Sequence, residues 1–522
     1  MIEAHEFAVT PWAKSPQAQP DTRQLLVEGG DARLALDPIT GKNRYGCPPC
    51  PDPAMADFAS STGSVISERG FAAADALRAR LFAADPRGPA ADVYAQELQR
   101  VRERLIALCG LEALGAVDIV FAASGTDLHL LISELVGDTP AAPLTCIDVE
   151  PEETGSGVPA ALAGKHFGGH APLGAPVVQG ALIGAAAPGF VAVRCRAADG
   201  SLRPTAEIEL ELDTVADQAI RAGGRVMLAV SDVSKTGLIS PSLKTVMAFK
   251  RRFGAAAEVV IDACQFRLTP ESLRAYLAQG FMVAVTGSKF LTGPSFSSAL
   301  FVPPAAAERL RDRLVSPGLR AYSARAEWPR GWVAAAALPD AVNPGLLLRW
   351  EAALAELEAF QALPRADLDA FAARFAKAVR EHIAAEPMFE FLEVRPLDRA
   401  AIGGGAGWDL IPTIFPFLLR HAPGGEGGYL SLAATQDVYR GLCADPFPPQ
   451  ADAIRGRLGQ PVMCGERGGR PISALRLCNS ARLMVEAVEG GEAGAKAVIA
   501  RALAVLDRTA LAARRLSQGG RV

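Results

Sequence analysis

The sequence predicts an α/β fold: a large domain on a mostly parallel sheet of the seven-stranded type, followed by a smaller C-terminal α+β domain. Three observations predict it. From about residue 110 to 300, short apolar runs alternate with helical patterns, the signature of βαβ units and a parallel sheet. Beyond residue 345 helices and strands are mixed instead. The length, 522 residues, exceeds what one ordinary core sustains. With 50% hydrophobic and 21% charged residues, the composition excludes a disordered chain.

Taken in order, residues 1–55 form an arm rich in Pro, Gly and polar residues, ending in ITGKNRYGCPPCPDP. Residues 56–345 form the large domain. Its first helical patterns run through Phe71–Phe82 and Tyr94–Leu108. Its clearest strands are Asp118–Ala122, Leu144–Val149, Arg225–Val230, Glu258–Ile261 and Phe281–Val285. An interdomain helix at about 345–363, GLLLRWEAALAELEAFQAL, leads into the small domain of residues 346–522. There helices are expected over Ala366–Glu386 and Thr435–Leu442. Strands are expected near Phe389–Val394, Thr413–Leu418, Pro461–Cys464 and Ala474–Cys478.

Charge narrows the partners. With 53 basic and 57 acidic residues the net charge is −4, and no dense Lys/Arg run is present. Capture of nucleic acid or of an anionic membrane is therefore not expected. Ala171–Val193 carries no charge, but its four glycines and three prolines make it a poor membrane helix and a better buried loop. The start, MIEAHEFAVTPWAK, lacks a basic stretch followed by an apolar run, and nine scattered cysteines make no disulfide framework. The expectation is a cytoplasmic protein.

Three elements at strand ends carry the chemical signal, where open α/β sheets place their ligands. In FAASGTDLHLLI a strand turns through Ser124, Gly125 and Thr126 into a helix, offering free N–H groups and a hydroxyl to an anion. In VVIDACQFR, Asp262 ends an apolar strand and Gln265 follows. In FMVAVTGSKFLTGP, Lys289 follows another buried strand through Thr286, Gly287 and Ser288, amid small hydroxyl residues rather than on a polar helix face. Each alone has a bland reading as a cap, a turn or a surface charge. Together, an anion cradle, a strand-end Asp and a strand-end Lys are what pyridoxal phosphate chemistry needs. The phosphate wants a helix N-terminus, the pyridinium nitrogen a carboxylate, and the aldehyde an amine.

With ASGTD at 123–127, SDVSKTGLISP at 231–241, DACQ at 262–265, TGSKFLTGP at 286–294, NPGLLLRWEAAL at 343–354 and ALRLCNSARL at 474–483, the chain resembles the fold-type I pyridoxal-phosphate enzymes of the class V aminotransferase and cysteine desulfurase group. The motifs stand in the family's order over roughly residues 55–485. The resemblance implies pyridoxal 5′-phosphate as cofactor. It implies that Lys289 carries it as a Schiff base, that Asp262 pairs with the ring nitrogen, and that Gln265 and Ser234 lie near its 3-hydroxyl oxygen. Gly125, Thr126, Thr286 and Ser288 would hold the phosphate. Arg476 would bind the substrate α-carboxylate, a role suited to a bidentate guanidinium. Asn43, in the arm, is expected to line the substrate entrance and to bind substrate.

The chain also departs from the family. Relatives usually carry a His or another ring-stacking residue after the strand that here reads CIDVE. This chain continues PEETGSG, so Glu153 or Thr154 lies over the cofactor or the stacking group comes from elsewhere. The segment from there to Ser234 is long. CPPC at Cys47–Cys50 has no second CxxC at zinc spacing and reads as a rigid loop, and His166 and His170 are separated by glycines, so no metal is expected. GGGAG at 403–407 follows no strand of a βαβ unit. His129 falls on an apolar helical stretch and reads as a core histidine.

The resemblance implies an enzyme that forms an external aldimine with an α-amino acid, or a molecule with an amino-acid end, and removes its Cα proton through Lys289. Aminotransferase is the leading reading. A lyase, desulfurase or Cβ/Cγ elimination–replacement enzyme is the alternative, with Cys443 and Cys464 as positional candidates for a reactive cysteine. A non-catalytic scaffold is disfavoured because it has no need of Asp262, Gln265 and Lys289 together. A homodimer is expected, with the segment between Arg320 and Asn343 approaching the partner's cofactor.

Overall fold

Strands buried on both faces read as apolar runs and need crossovers to stay parallel. The computed structural model describes residues 19–137, 142–185, 187–422, 428–444 and 455–518, and it realises that pattern. The first strand, β1 (Met55–Phe58), belongs to the smaller of two sheets. The next eight build the larger: β2 (Asp118–Ala122), β3 (Leu144–Val149), β4 (Gly189–Val193), β5 (Arg225–Asp232), β6 (Ile239–Ser240), β7 (Ala257–Ala263), β8 (Met282–Thr286) and β9 (Ser298–Val302). The last four complete the smaller sheet: β10 (Phe389–Phe391), β11 (Ile414–Leu419), β12 (Arg455–Arg467) and β13 (Arg470–Cys478).

The larger sheet has the order β2-β9-β8-β7-β5-β3-β4, with the short β6 beside β5. From β8 to β4 all neighbours are parallel. β9 is antiparallel to both β2 and β8, and these two reversals leave β2 running in the same direction as β8. The carboxyl ends of β2, β7 and β8 therefore meet at one edge, which carries Ser124–Thr126, Asp262 and Lys289 to a single place. The expected parallel sheet is present. β1, β4, β6 and β9 are not among the expected strands: β1 and β6 are short, β4 lies at the end of the uncharged Gly/Pro-rich stretch, and β9 follows β8 through a loop instead of a helix. Among the described residues no helix is long and apolar enough to cross a membrane.

The smaller sheet has the order β1-β12-β13-β11-β10. It is antiparallel except for β1 on β12, where Met55 pairs with Arg455. A buried ion pair, Asp57 to Arg457 at 3.1 Å, fixes that edge. The helix Pro344–Gln361 is apolar on nearly every side because it is buried on nearly every side. Its Arg349 is fully buried and donates to the carbonyls of Glu28 (2.5 Å), Gly29 (3.0 Å) and Phe296 (2.7 Å). Through that guanidinium the arm is held against the edge where the strand ends converge.

Candidate active site

The anion end of the site is built from β2 and the helix Gly125–Val136. Ser124 caps the helix by accepting from the Asp127 N–H, while the Asp127 carboxylate accepts from the Ser124 N–H at 2.8 Å. A side chain at Gly125 would come within 3.0 Å of the Cys264 sulfur, so glycine lets the turn pack onto β7. Arg33, from the arm, was not found in the sequence. Its guanidinium donates to Thr126 Oγ1 and Ser124 Oγ, each at 3.0 Å, and pairs with Asp31 at 2.5 Å. It also lies over the ring of Phe296, 4.8 Å from the centroid. Burial disfavours its charge, but Tyr45 and Asp31 outweigh burial and hold Arg33 above the ordinary arginine value. Asp127 is pushed up to about 7, first by burial and then by Asp31.

Asp262 ends β7, where its Oδ1 accepts from the Cys264 N–H at 3.0 Å. Its other oxygen faces His129 Nε2 at 3.4 Å, and His129 Nδ1 is 2.6 Å from the Gly125 carbonyl. His129 is thus not a core histidine but the group behind the Asp262 carboxylate. The 3.6-residue period points it inward, and inward here is toward the site. Burial alone would lower the imidazole, yet the Asp262 charge raises it to about 9. Burial likewise works against the Asp262 carboxylate, and His129 and Lys289 hold it well below the carboxylate range. Asp148, at the end of β3, is pushed up to about 7 by burial.

Lys289 follows β8 and shares a cavity of about 280 Å³ with Gly125, Thr126, Asp262 and Gln265. Thr286 Oγ1 donates to the Cys264 carbonyl at 2.7 Å, and Ser288 Oγ lies 3.4 Å from Thr286 Oγ1. Gln265 donates to the Ser61 carbonyl at 3.1 Å. Ser234 lines the cavity, but its hydroxyl donates to Glu153 at 2.6 Å. Glu153 is buried, paired with Arg196 at 2.8 Å, and accepts from Thr236. Burial opposes its charge, and Arg196 with these hydroxyls pulls it below the usual range. Glu153 and Thr154 both line the cavity.

Arg476, on β13, closes the opposite wall. It donates to Thr62 Oγ1 at 3.0 Å and to the Gln460 carbonyl, and burial lowers its pKa. Asn43 stands behind the wall rather than in it. Its side chain accepts from the N–H groups of Tyr45 (3.0 Å) and Cys47 (3.1 Å), and its neighbours Arg44 and Tyr45 line the cavity instead. Apart from His129 Nε2, which faces Asp262, three buried polar atoms on lining residues lack a hydrogen-bond partner: Ser231 Oγ, Ser298 Oγ and Arg476 Nε. Cys443 and Cys464 do not line the cavity. Burial raises both thiols, Cys464 to about 12. Among the described residues no group of three or more His, Cys, Asp or Glu side chains is placed to hold a metal.

No protein-family model and no curated protein sequence matches the chain. Solved structures do. The cystine C-S lyase C-DES, in complex with its product cysteine persulfide, matches at a TM-score of 0.50 and 14% identity, over 86% of this chain and 97% of that one. A C-DES variant with glycine covalently linked to its PLP cofactor matches at 0.50 and 15%, over 86% and 96%. Serine palmitoyltransferase from S. paucimobilis matches at 0.45 and 12%, over 80% and 77%. With its parallel sheet, its strand-end site and the C-DES likeness, this chain has the fold of the fold-type I pyridoxal-phosphate-dependent enzymes.

Proposed function

We propose that this chain is a pyridoxal 5′-phosphate-dependent enzyme acting on the amine-bearing carbon of an α-amino acid, or of a molecule with an amino-acid end, most simply as an aminotransferase. The observation that carries this reading is the meeting of Lys289, Asp262 and the Ser124–Thr126 turn around one cavity lined by unpartnered buried polar atoms. Those atoms fit an absent polar group, since buried donors and acceptors left alone each cost about 1–3 kcal/mol. When bound, the cofactor supplies an electron sink for negative charge at the substrate Cα.

The chain's own residues then divide the work. Thr126, Ser288, the free N–H groups of the helix Gly125–Val136 and the Arg33 guanidinium would hold the phosphate. Asp262, kept ionised by His129, would hold a proton on the ring nitrogen. Gln265 would stand beside the ring. Lys289 would take the Cα proton as base. Arg476 would orient the α-carboxylate. The desulfurase alternative needs a reactive cysteine, and the raised thiols of the half-buried Cys443 and the buried Cys464, neither of them lining the cavity, speak against both candidates.

Mass spectrometry after pyridoxal phosphate loading and borohydride reduction tests this reading. The expected result is cofactor mass fixed on Lys289, with Lys289→Ala folding normally by circular dichroism and losing both the label and all turnover. Label on another lysine, or undiminished turnover, would overturn the assignment. Amino acids are then screened for keto acid, sulfide and ammonia separately. Keto acid with conversion of the cofactor to its pyridoxamine form supports transamination, whereas sulfide or ammonia without that conversion, with or without keto acid, supports the elimination alternative.

A further inference from the structure

The cavity has cationic side chains beyond the Arg33 and Lys289 assigned to the proposed cofactor. Five lysine and arginine side chains line it: Arg33, Arg44, Lys235, Lys289 and Arg476. Its two lining carboxylates are already engaged, Glu153 with Arg196 and Asp262 with His129. Arg33 is committed to Asp31 and to the hydroxyls of the anion turn. Under the proposed function Lys289 is committed to the cofactor. Three cations remain, and among the described residues Arg44, Lys235 and Arg476 form no ion pair within 4.0 Å.

Two of these three are adjacent. Arg476 Nη1 donates to the Lys235 carbonyl at 3.3 Å, so β13 and the loop after β5 bring the guanidinium and the lysine backbone together. The Lys235 ammonium has three donors and makes one hydrogen bond, to the Pro151 carbonyl at 2.9 Å. Arg476 Nε is buried without a partner. The charge of Arg476 acts against that of Lys235, and an anion between or beside them would relieve the repulsion. Burial, Arg476 and Lys289 together lower Lys235 to about 8, the direction expected of an ammonium that awaits a counter-charge. One carboxylate satisfies Arg476. It leaves Lys235, with Arg44 at the rim, facing the same space.

We infer that the substrate is an α-amino acid bearing a second anionic group, with Arg476 taking the α-carboxylate and Lys235 the side-chain anion. Lys235 is then a specificity residue rather than a catalytic one. This inference rests on the proposed function, and the experiment separates the two.

Holoenzyme is titrated with L-aspartate, L-glutamate and O-phospho-L-serine, each against its neutral counterpart, asparagine, glutamine or serine, following the visible spectrum of the bound cofactor. At least one acidic member is expected to bind about tenfold or more tightly than its neutral counterpart, as one partly buried charge pair allows. The member that does so tells a carboxylate pocket from a phosphate pocket. Lys235→Met is expected to abolish the preference while leaving affinity for neutral amino acids and borohydride labelling of Lys289 unchanged; Lys235→Arg is expected to retain it. Failure of every acidic member to exceed its neutral counterpart, whether both bind or neither does, overturns the inference. So does a preference that survives in Lys235→Met. If the unaltered protein cannot be labelled at Lys289, the proposed function falls and this inference falls with it.

Discussion

His129 and Asp262 hold each other's charge, and that coupling gives the site a testable pH signature. His129, raised to about 9, contributes stability that is fully present below its ordinary value near 6.5 and is lost as pH rises through about 9. Asp262, lowered, contributes stability present above about 4 and lost as pH falls through its folded value. The pair is therefore whole between about pH 4 and 6.5 and fades above that range. Asp148 and Lys289 act on the same pair, but neither replaces the Asp262 charge facing the imidazole. In Asp262→Asn, burial should win, and the His129 titration followed by NMR without added cofactor should drop by at least about one unit. An unchanged titration would remove the carboxylate as the cause. That Lys289 lies at the cavity was legible because a lysine at the end of an apolar strand, among small hydroxyl residues, has no ordinary surface reason to be there, and Asp262 was legible only in company with it and the Ser124–Thr126 turn. His129 was not, because helical periodicity reports that a side chain points inward and cannot tell a core from a cavity. Arg33 was invisible for a different reason. It lies in an irregular arm, and only the fold shows what it reaches.

Among the elements, the arm carries the least regular structure and a large share of the site. Beyond the short helix Thr22–Leu26 it has no regular helix or strand before β1 among its described residues, yet Arg33, Arg44 and Tyr45 all line the cavity. Buried side chains from elsewhere hold it. Arg349 binds the carbonyls of Glu28 and Gly29, and Arg457 binds that of Tyr45 at 2.9 Å. Arg33→Ala should therefore weaken cofactor retention by about tenfold to a hundredfold, since hydrogen bonds to charged groups contribute about 1.5–3 kcal/mol. Equilibrium dialysis of pyridoxal phosphate measures this, and retention equal to the unaltered protein would exclude Arg33 from the phosphate site. Strand legibility follows a related rule. β2, β3, β5, β7 and β8 were readable because burial on both faces demands apolar runs. β9 was hidden by the hydroxyl-rich loop before it, which lets the chain reverse without a helix, and β4 by the glycines and prolines around it.

For the whole molecule, the expected assembly is a homodimer. Val178 and Leu182 on the long segment before β4, and Leu314 after β9, leave apolar surface in solvent, Val178 and Leu314 about three-quarters exposed. The segment between Arg320 and Asn343 is anchored in its own chain by the buried Trp328 and Trp332, the latter donating to Asp118 at 2.9 Å. Light scattering should give twice the chain's mass at micromolar concentration, and an active monomer would defeat this expectation. One further consequence comes from the edge of the smaller sheet. The ribosome releases β1 long before it makes β12, yet Met55 pairs with Arg455 and the Arg457 that fixes the Tyr45 loop lies on that late strand. Until then Arg349 can hold Glu28 and Gly29, but the Tyr45 loop lacks its Arg457 contact and the wall that includes Arg476 does not exist. Retention of the proposed cofactor is then expected only once β12 and β13 have emerged. A stalled nascent chain ending before Arg455 should fail to retain pyridoxal phosphate, whereas one extended well past Cys478 should hold it; equal retention by both would show that the late strands are not needed to finish the pocket.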